Sequence, residues 1–267
     1  MIKYQKNGEL SYGYTSITKE NDFSENMLMD IDIYRGKKDE KLEVLEPEKE
    51  VAVLLLEGEV EFQWEEHKLL AKRENVFDFE PYALHVCSHT KIVLEFHEDS
   101  EVLIQKASNN RAFSSKMYTP DQCVENIFGE TGMQGTAKRL VRDIFNYDNA
   151  PYSNMVLGEV ITLPGKWSSY PPHSHEQPEV YFYKFTKKQG FGAGYVGEQV
   201  YLIKHNSALL IKGGVTHPQT AAPGYGMYYC WMIRHLEQNP RTSREYDKEH
   251  LWLLEEDQTI WEPKKEF

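Results

Sequence analysis

Cysteine is scarce in this 267-residue chain: Cys87, Cys123 and Cys230 are odd in number and far apart. No C-x-x-C pair occurs, so neither a disulfide framework nor a thiolate metal site is expected, and a reducing cytoplasm is the expected compartment. Each cysteine reads as a small buried apolar residue. Positive charge is also in deficit, with 30 Lys and Arg against 42 Asp and Glu and a net charge of -12. Such a surface repels polyanions, and no DNA-binding helix pair is recognisable, so nucleic acid is not an expected partner. An anionic small molecule remains compatible, because it needs only a local basic pocket. No apolar run approaches the length of a bilayer span, and the opening Met1–Lys6 lacks the apolar core of a signal peptide, so no membrane is expected.

Helical periodicity is nearly missing too. What fills the chain is strand pattern: the apolar run 51–56, the alternating run 60–64, then 76–79, 92–96 and 102–104, with turn signals between them. Glu57-Gly58 is expected to close the first of these. The more polar stretch 107–148 reads as a connector, with a short helical turn or loop at 119–128 and a strand at 139–145. The β pattern resumes at 156–163, 179–185, 199–203, 208–211 and 227–233. One helix is expected, over 245–254, with Thr242 or Ser243 as its N-cap. Short, closely spaced strands indicate a sandwich or barrel.

The two halves echo each other. Leu54–Gly58 followed by Phe79–His85 resembles the later Glu179–Tyr183 followed by Leu210–His217. The expectation is an all-β chain of two tandem barrels: an N-terminal barrel over 1–106, the connector over 107–148 and a C-terminal barrel over 149–267. His85 has no companion ligands, so metal is expected only in the second barrel.

That second half carries Pro171-Pro-His-Ser-His-Glu-Gln-Pro-Glu179. Side chains alternate along an extended segment, so His173 and His175 share a face. The two prolines forbid helix and keep the approach extended. Glu179 opens a strongly β-forming run, and His217 follows in a glycine turn. Three imidazoles and one carboxylate suit one first-row divalent ion, with zinc preferred and manganese or iron left open. Glu176 directly follows His175 and points to the opposite face, which disfavours it as a ligand.

This combination resembles the cupin superfamily, and more closely the 5-deoxy-glucuronate isomerases of myo-inositol catabolism. The resemblance rests on Gly158–His175, with its Trp-Ser-Ser-Tyr-Pro-Pro-His-Ser-His string, on Gln189–Gly192, Thr216–Pro218 and Ala222–Tyr229, and on Arg139–Arg142 and Tyr12–Thr15. The short spacing from His175 to Glu179 is similar to that of the sister 5-keto-4-deoxyuronate isomerases. The resemblance implies two jelly-roll (bicupin) barrels and a metal-dependent aldose–ketose isomerisation of an open-chain uronate. It implies His173, His175, Glu179 and His217 as metal ligands.

For such a reaction, Tyr181 and Tyr183 are candidates for acid–base work or for simple barrel filling, and Glu176 for proton transfer. Arg139, Arg142 and Arg234 are candidates to grip the substrate carboxylate. Lys166, Tyr170 and Gln219 are candidates to line the cavity. An Fe(II) dioxygenase and a non-catalytic sugar-binding protein stand as alternatives, and homo-oligomerisation is left open.

Overall fold

The computed structural model describes residues 1–5, 8–255 and 258–264. The chain is built almost wholly of antiparallel strands, in sheets of nine, seven, four and two strands. The nine-stranded sheet belongs to the N-terminal half. Its spine is the strand Lys49–Trp64, which pairs with Ala83–Val86 and Ser100–Ser108 before a bend and with His67–Arg73 and Ile92–Phe96 after it. Where a strand end was expected at Glu57-Gly58, the chain therefore bends and continues. The register slips between Leu55 and Glu57, and Gly58 takes a φ of 110°, which L side chains rarely adopt.

The seven-stranded sheet carries the site. Glu179–Phe185 lies at its centre, between Ala208–Ile211 and Met227–Arg234, followed outward by Met155–Thr162, Arg139–Phe145 and Glu125–Phe128. A four-stranded sheet, Trp167–Ser168, Gln219–Ala221, Phe191–Val196 and Gln199–Lys204, completes this half. The stretch expected as connector thus supplies strands to both halves: Lys116–Tyr118 pairs with Ala83–Val86 of the first. Conversely, Ile2–Lys3 crosses to pair with Ala208–Leu209 of the second.

Three local expectations are corrected. Residues 76–79 form a turn rather than a strand, because the Asn75 carboxamide oxygen accepts the Phe77 and Asp78 amides, each at 2.8 Å. Residues 119–128 hold the expected short helical turn, a 3₁₀ turn at Pro120–Gln122, and the correction there is the added strand Glu125–Phe128. The C-terminal helix is a 3₁₀ helix, Lys248–Leu254, starting later than expected. Its cap is Asp247, which accepts the Glu249 amide at 3.1 Å, while Glu245–Tyr246 is extended.

Strand alternation divides the buried side chains between three cores. Ala52, Leu54 and Leu56 from the first half meet Val180, Phe182, Tyr228, Cys230 and Met232 from the second. Within this inter-half core lies a buried ion pair: the Arg73 guanidinium donates to both oxygens of Glu159 at 2.7 and 2.9 Å, and Tyr228 donates to the same carboxylate at 2.7 Å. The opposite faces of the strands fill the two barrel interiors. Among the described residues no helix is long and apolar enough to cross a membrane.

Candidate metal centre

The HxH segment enters the second barrel as a two-residue strand, His173–Ser174, paired with Glu245–Tyr246. The turn bearing the third histidine is pressed against it. The Gly214 amide donates to the His175 carbonyl at 2.7 Å, and a side chain on Gly213 would fall 1.8 Å from the Glu176 carbonyl oxygen. Only glycine permits that approach, and it brings His217 beside His175.

His175, Glu179 and His217 offer ligand atoms that all lie within 4.8 Å of one another. Glu179 Oε2 is 3.1 Å from His175 Nε2 and 3.2 Å from His217 Nε2. His173 adjoins this group, its ring centroid 5.1 Å from that of His217.

The hydrogen bonds behind the rings fix which nitrogens face inward. His173 Nδ1 donates to the Pro171 carbonyl at 3.0 Å, and His217 Nδ1 donates to the Val215 carbonyl at 2.8 Å. In the neutral ring each Nε2 then presents a lone pair, the form a metal ligand requires. His217 Nε2 is buried without a hydrogen-bond partner. A lone pair facing a carboxylate oxygen at 3.2 Å is repulsive unless a cation stands between them. The donor set therefore fits a divalent metal.

Burial raises the Glu179 carboxyl, but positive charge beside it outweighs this and holds it well below the usual carboxylate range, whether that charge is a proton on the His175 and His217 rings or a cation bound in its place. Burial, reinforced by the neighbouring His217, lowers His173 to about 3, so it is neutral at physiological pH.

These residues stand at a cavity of about 190 Å³. Its walls follow strand parity. Arg139, Val141 and Asp143 face it from one strand, Val156 and Val160 from the next, and Tyr229 and Trp231 from a third. Tyr181 also lines it, its hydroxyl 3.2 Å from Ser169 Oγ, which lies 3.4 Å from the Tyr229 hydroxyl. Burial raises the hydroxyls of Tyr181 and Tyr229, and it raises the Asp143 carboxyl against the nearby charges of Arg241 and Arg244.

Of the expected substrate residues, only Arg139 and Tyr181 line this cavity. Arg142 is three positions from Arg139 and so points to the other face. It donates to Glu125 at 2.9 Å and to the Val76 and Phe79 carbonyls at 3.1 Å each, in the inter-half core. Arg234 donates to the carbonyls of His235 at 2.6 Å and Asn154 at 3.4 Å, on a separate groove. Glu176 lies in the bend between His173–Ser174 and Glu179–Phe185, is exposed and accepts from Asn239. Tyr183 is fully buried and donates to Gln219, so both are committed to packing beside the cavity. Tyr170 packs on Trp167, and Lys166 is absent from the lining. His85 is buried against Glu50 at 2.8 Å and stacks on Phe145, a structural pairing without further ligands.

Sequence reasoning missed Asp143, Ser169, Tyr229, Arg241 and Arg244. Asp143 was readable, because it shares strand parity with Arg139. The two arginines lie in an aperiodic stretch that gives no such signal.

The KduI/IolB family model matches residues 3–253. The chain belongs to the KduI/IolB family. Its relatives include proteins named 5-deoxy-glucuronate isomerase: one from Geobacillus kaustophilus is 26% identical over 246 residues, covering 84% of this chain and 85% of the relative. Another, from Listeria monocytogenes, is 30% identical over 141 residues, covering 45% and 48%. Among solved structures, an IolB-like protein from Salmonella typhimurium LT2 superposes with a TM-score of 0.85 at 18% identity, covering 95% of this chain and 99% of that one. Lactobacillus farciminis oxalate decarboxylase gives 0.65 at 8% identity, covering 89% and 85%. A cupin 2 conserved barrel domain protein from Leptotrichia buccalis gives 0.52 at 13%, covering 85% and 92%. These likenesses establish a cupin fold for the KduI/IolB chain.

Proposed function

We propose that this protein is a metal-dependent aldose–ketose isomerase of a uronate-type sugar acid, with 5-deoxy-glucuronate as substrate and 2-deoxy-5-keto-gluconate as product. The observation that carries this reading is the convergence of His175, Glu179 and His217 in a cavity that also presents arginines, within a family whose named relatives are such isomerases. His173, His175, Glu179 and His217 hold the ion, zinc in preference to manganese or iron. When bound, the ion supplies Lewis-acid polarisation of a carbonyl and stabilises the negative charge that develops on it.

The protein's own groups do the rest. A proton must leave the hydroxyl-bearing carbon for the neighbouring carbonyl carbon, and the hydroxyl proton must pass to the former carbonyl oxygen, so that carbonyl and hydroxyl exchange places with no net oxidation. A base for this step is favoured by a pKa near the working pH; burial moves the Asp143 carboxyl up, towards that range, and moves the phenols up, away from it, so Asp143 is the candidate base. Tyr181 and Tyr229, kept protonated and linked through Ser169, donate hydrogen bonds to substrate oxygens. Trp231 and the valines exclude water from one wall. In this scheme the barrel of 149–267 is the working unit, and that of 1–106 its scaffold, in a cytoplasmic enzyme.

Assaying the metal-loaded protein side by side on 5-deoxy-glucuronate and 5-keto-4-deoxyuronate tests the reading. Conversion of the first is expected to dominate. Conversion of only the second would reassign the substrate. Oxygen consumption by the iron-loaded protein without isomerisation would replace the reading with a dioxygenase.

A further inference from the structure

Three of the eight arginines in this acidic chain pair with carboxylates, Arg35 with Glu101, Arg73 with Glu159 and Arg142 with Glu125, while Arg111 and Arg234 spend their donors on carbonyl and carboxamide oxygens. Three arginines on the cavity differ. Arg139, Arg241 and Arg244 all line it, and none lies within 4.0 Å of an acidic oxygen among the described residues. Arg139 spends one donor on the Ala137 carbonyl at 2.9 Å. Arg241 keeps a buried Nε with no partner. Asp143 and Asp148 share the lining without pairing to any of the three. A guanidinium carries five donors, and Asp143, which feels the charges of Arg241 and Arg244 without bonding to either, leaves most of those donors unspent and facing the cavity.

The segment that bears Arg241 and Arg244 is not a loose loop. The Arg241 amide donates to His235 Nδ1 at 2.9 Å, Gln177 Nε2 donates to the Asn239 carbonyl at 2.9 Å, and the Asp247 amide donates to the Pro172 carbonyl at 2.9 Å. Glu245 pairs with Ser174, and Tyr246 with His173. The arm is thus hydrogen-bonded along 172–177, the same segment that holds His173 and His175. The backbone that bears these two cationic side chains is thereby held beside the metal-ligating histidines.

We propose that Arg241 and Arg244, with Arg139 from the sheet, form the subsite that binds the carboxylate of the substrate and so sets the distance from carboxylate to metal. A planar carboxylate accepts two parallel N–H bonds from one guanidinium, leaving its second face to another. A neutral sugar offers these donors only uncharged hydroxyl acceptors, without the charge and the bidentate fork, so the subsite favours acids over aldoses. The proposal rests on the isomerase reading only for the identity of the anion.

The test is calorimetric binding of D-gluconate, an open-chain sugar acid with no carbonyl to isomerise, against its neutral counterpart D-glucitol, on the intact metal-loaded protein. The wild type is expected to bind gluconate more tightly than glucitol. Arg241→Gln and Arg244→Gln should each weaken gluconate about ten- to a hundredfold and leave glucitol unchanged. Arg244 is largely exposed, so its substitution spares the core. Arg244→Lys, which keeps the charge but loses the fork, should fall between. Equal gluconate affinity in wild type and both Gln variants, or no preference for gluconate in the wild type, overturns the subsite. Turnover is measured separately. Selective gluconate binding without uronate turnover would leave the subsite standing and defeat the isomerase reading. Turnover with unaltered KM in the variants would do the reverse.

Discussion

The two barrel interiors are built by strands of similar kind and filled in opposite ways. In the N-terminal half, Lys49–Trp64 turns Val51, Val53, Leu55, Val60, Phe62 and Trp64 inward, onto Ile92, Leu94, Phe96, Val102 and Ile104. That interior is filled by apolar side chains, and each large one contributes roughly 1.5–3 kcal/mol on burial. In the C-terminal half, the central strand turns Glu179, Tyr181 and Tyr183 inward, towards Tyr229, Trp231 and the histidines. Burying a carboxylate among imidazoles costs free energy until a cation compensates it. One barrel therefore contributes stability, and the other spends it on a site. The inter-half core, with Ala52 and Leu54 packed near Val180 and Phe182, is what lets the first support the second.

The sharpest way to break this division is at the ligands. His175→Ala/His217→Ala should lose nearly all bound metal by elemental analysis. Turnover should fall by more than the roughly 10–100-fold typical of losing a supporting partner. Far-UV circular dichroism should keep its β signature, because the apolar barrel and the inter-half core are untouched. Full metal occupancy in this variant would remove the proposed centre.

Next in size is the joint between the halves. Arg73 and Glu159 are fully buried, so Arg73→Met strands a carboxylate that Tyr228 and the more distant Arg142, at 3.6 Å, only partly satisfy. Breaking one side of such a pair costs about 3–5 kcal/mol. Arg73→Met/Glu159→Leu should recover much of that loss in urea titrations. If the single variant unfolds at the wild-type midpoint, the pair does not hold the halves together.

Acid should act unevenly on the two halves. Burial, aided by Lys184 for His205 and by Arg234 for His235, lowers both imidazoles to about 4, against an ordinary value near 6.5. Both lie in the C-terminal half. Between those values the unfolded chain binds protons that the folded chain refuses, so stability is full above about 6.5 and declines as pH falls towards 4. Hydrogen exchange at pH 5 should therefore open strands of the C-terminal half before Lys49–Trp64. His205→Gln/His235→Gln should flatten the decline, and an unchanged slope in that variant would assign the acid response elsewhere.

How much of this was legible depends on whether a residue sits in a periodic pattern. The His-x-His pair, Glu179 and the Gly213 turn announce themselves through period two and glycine. The inward face of Glu179–Phe185 follows from the same alternation. Arg139 and Arg142 could have been separated by their odd spacing, which places them on opposite faces. Non-local pairings left no trace: nothing in Ile2–Lys3 indicates that it joins the second half. Nor does Arg241–Arg244 carry a pattern, since its place is set by hydrogen bonds to 172–177. The long strand was misread at Gly58 because a bend and a turn demand the same residue.

The smallest expected effect is also the finest test of strand parity at the site. Glu176 and Glu179 are three positions apart, both acidic, both beside His175. Glu179 opens the central strand and faces the histidines, 3.1 Å from His175 Nε2. Glu176 faces out, with its carboxylate on Asn239. Glu179→Gln removes a charged ligand, so metal affinity and turnover should fall together, and excess zinc or manganese should restore only part of the activity. Glu176→Gln keeps a hydrogen-bonding carbonyl for Asn239 and should shift stability by within about 0.5 kcal/mol, as exposed substitutions usually do. Its metal affinity and turnover should match wild type. Titrating both variants with metal while following aldose–ketose conversion separates them. Should Glu176→Gln shed the ion while Glu179→Gln retains it, the inward face of the second barrel has been assigned to the wrong parity.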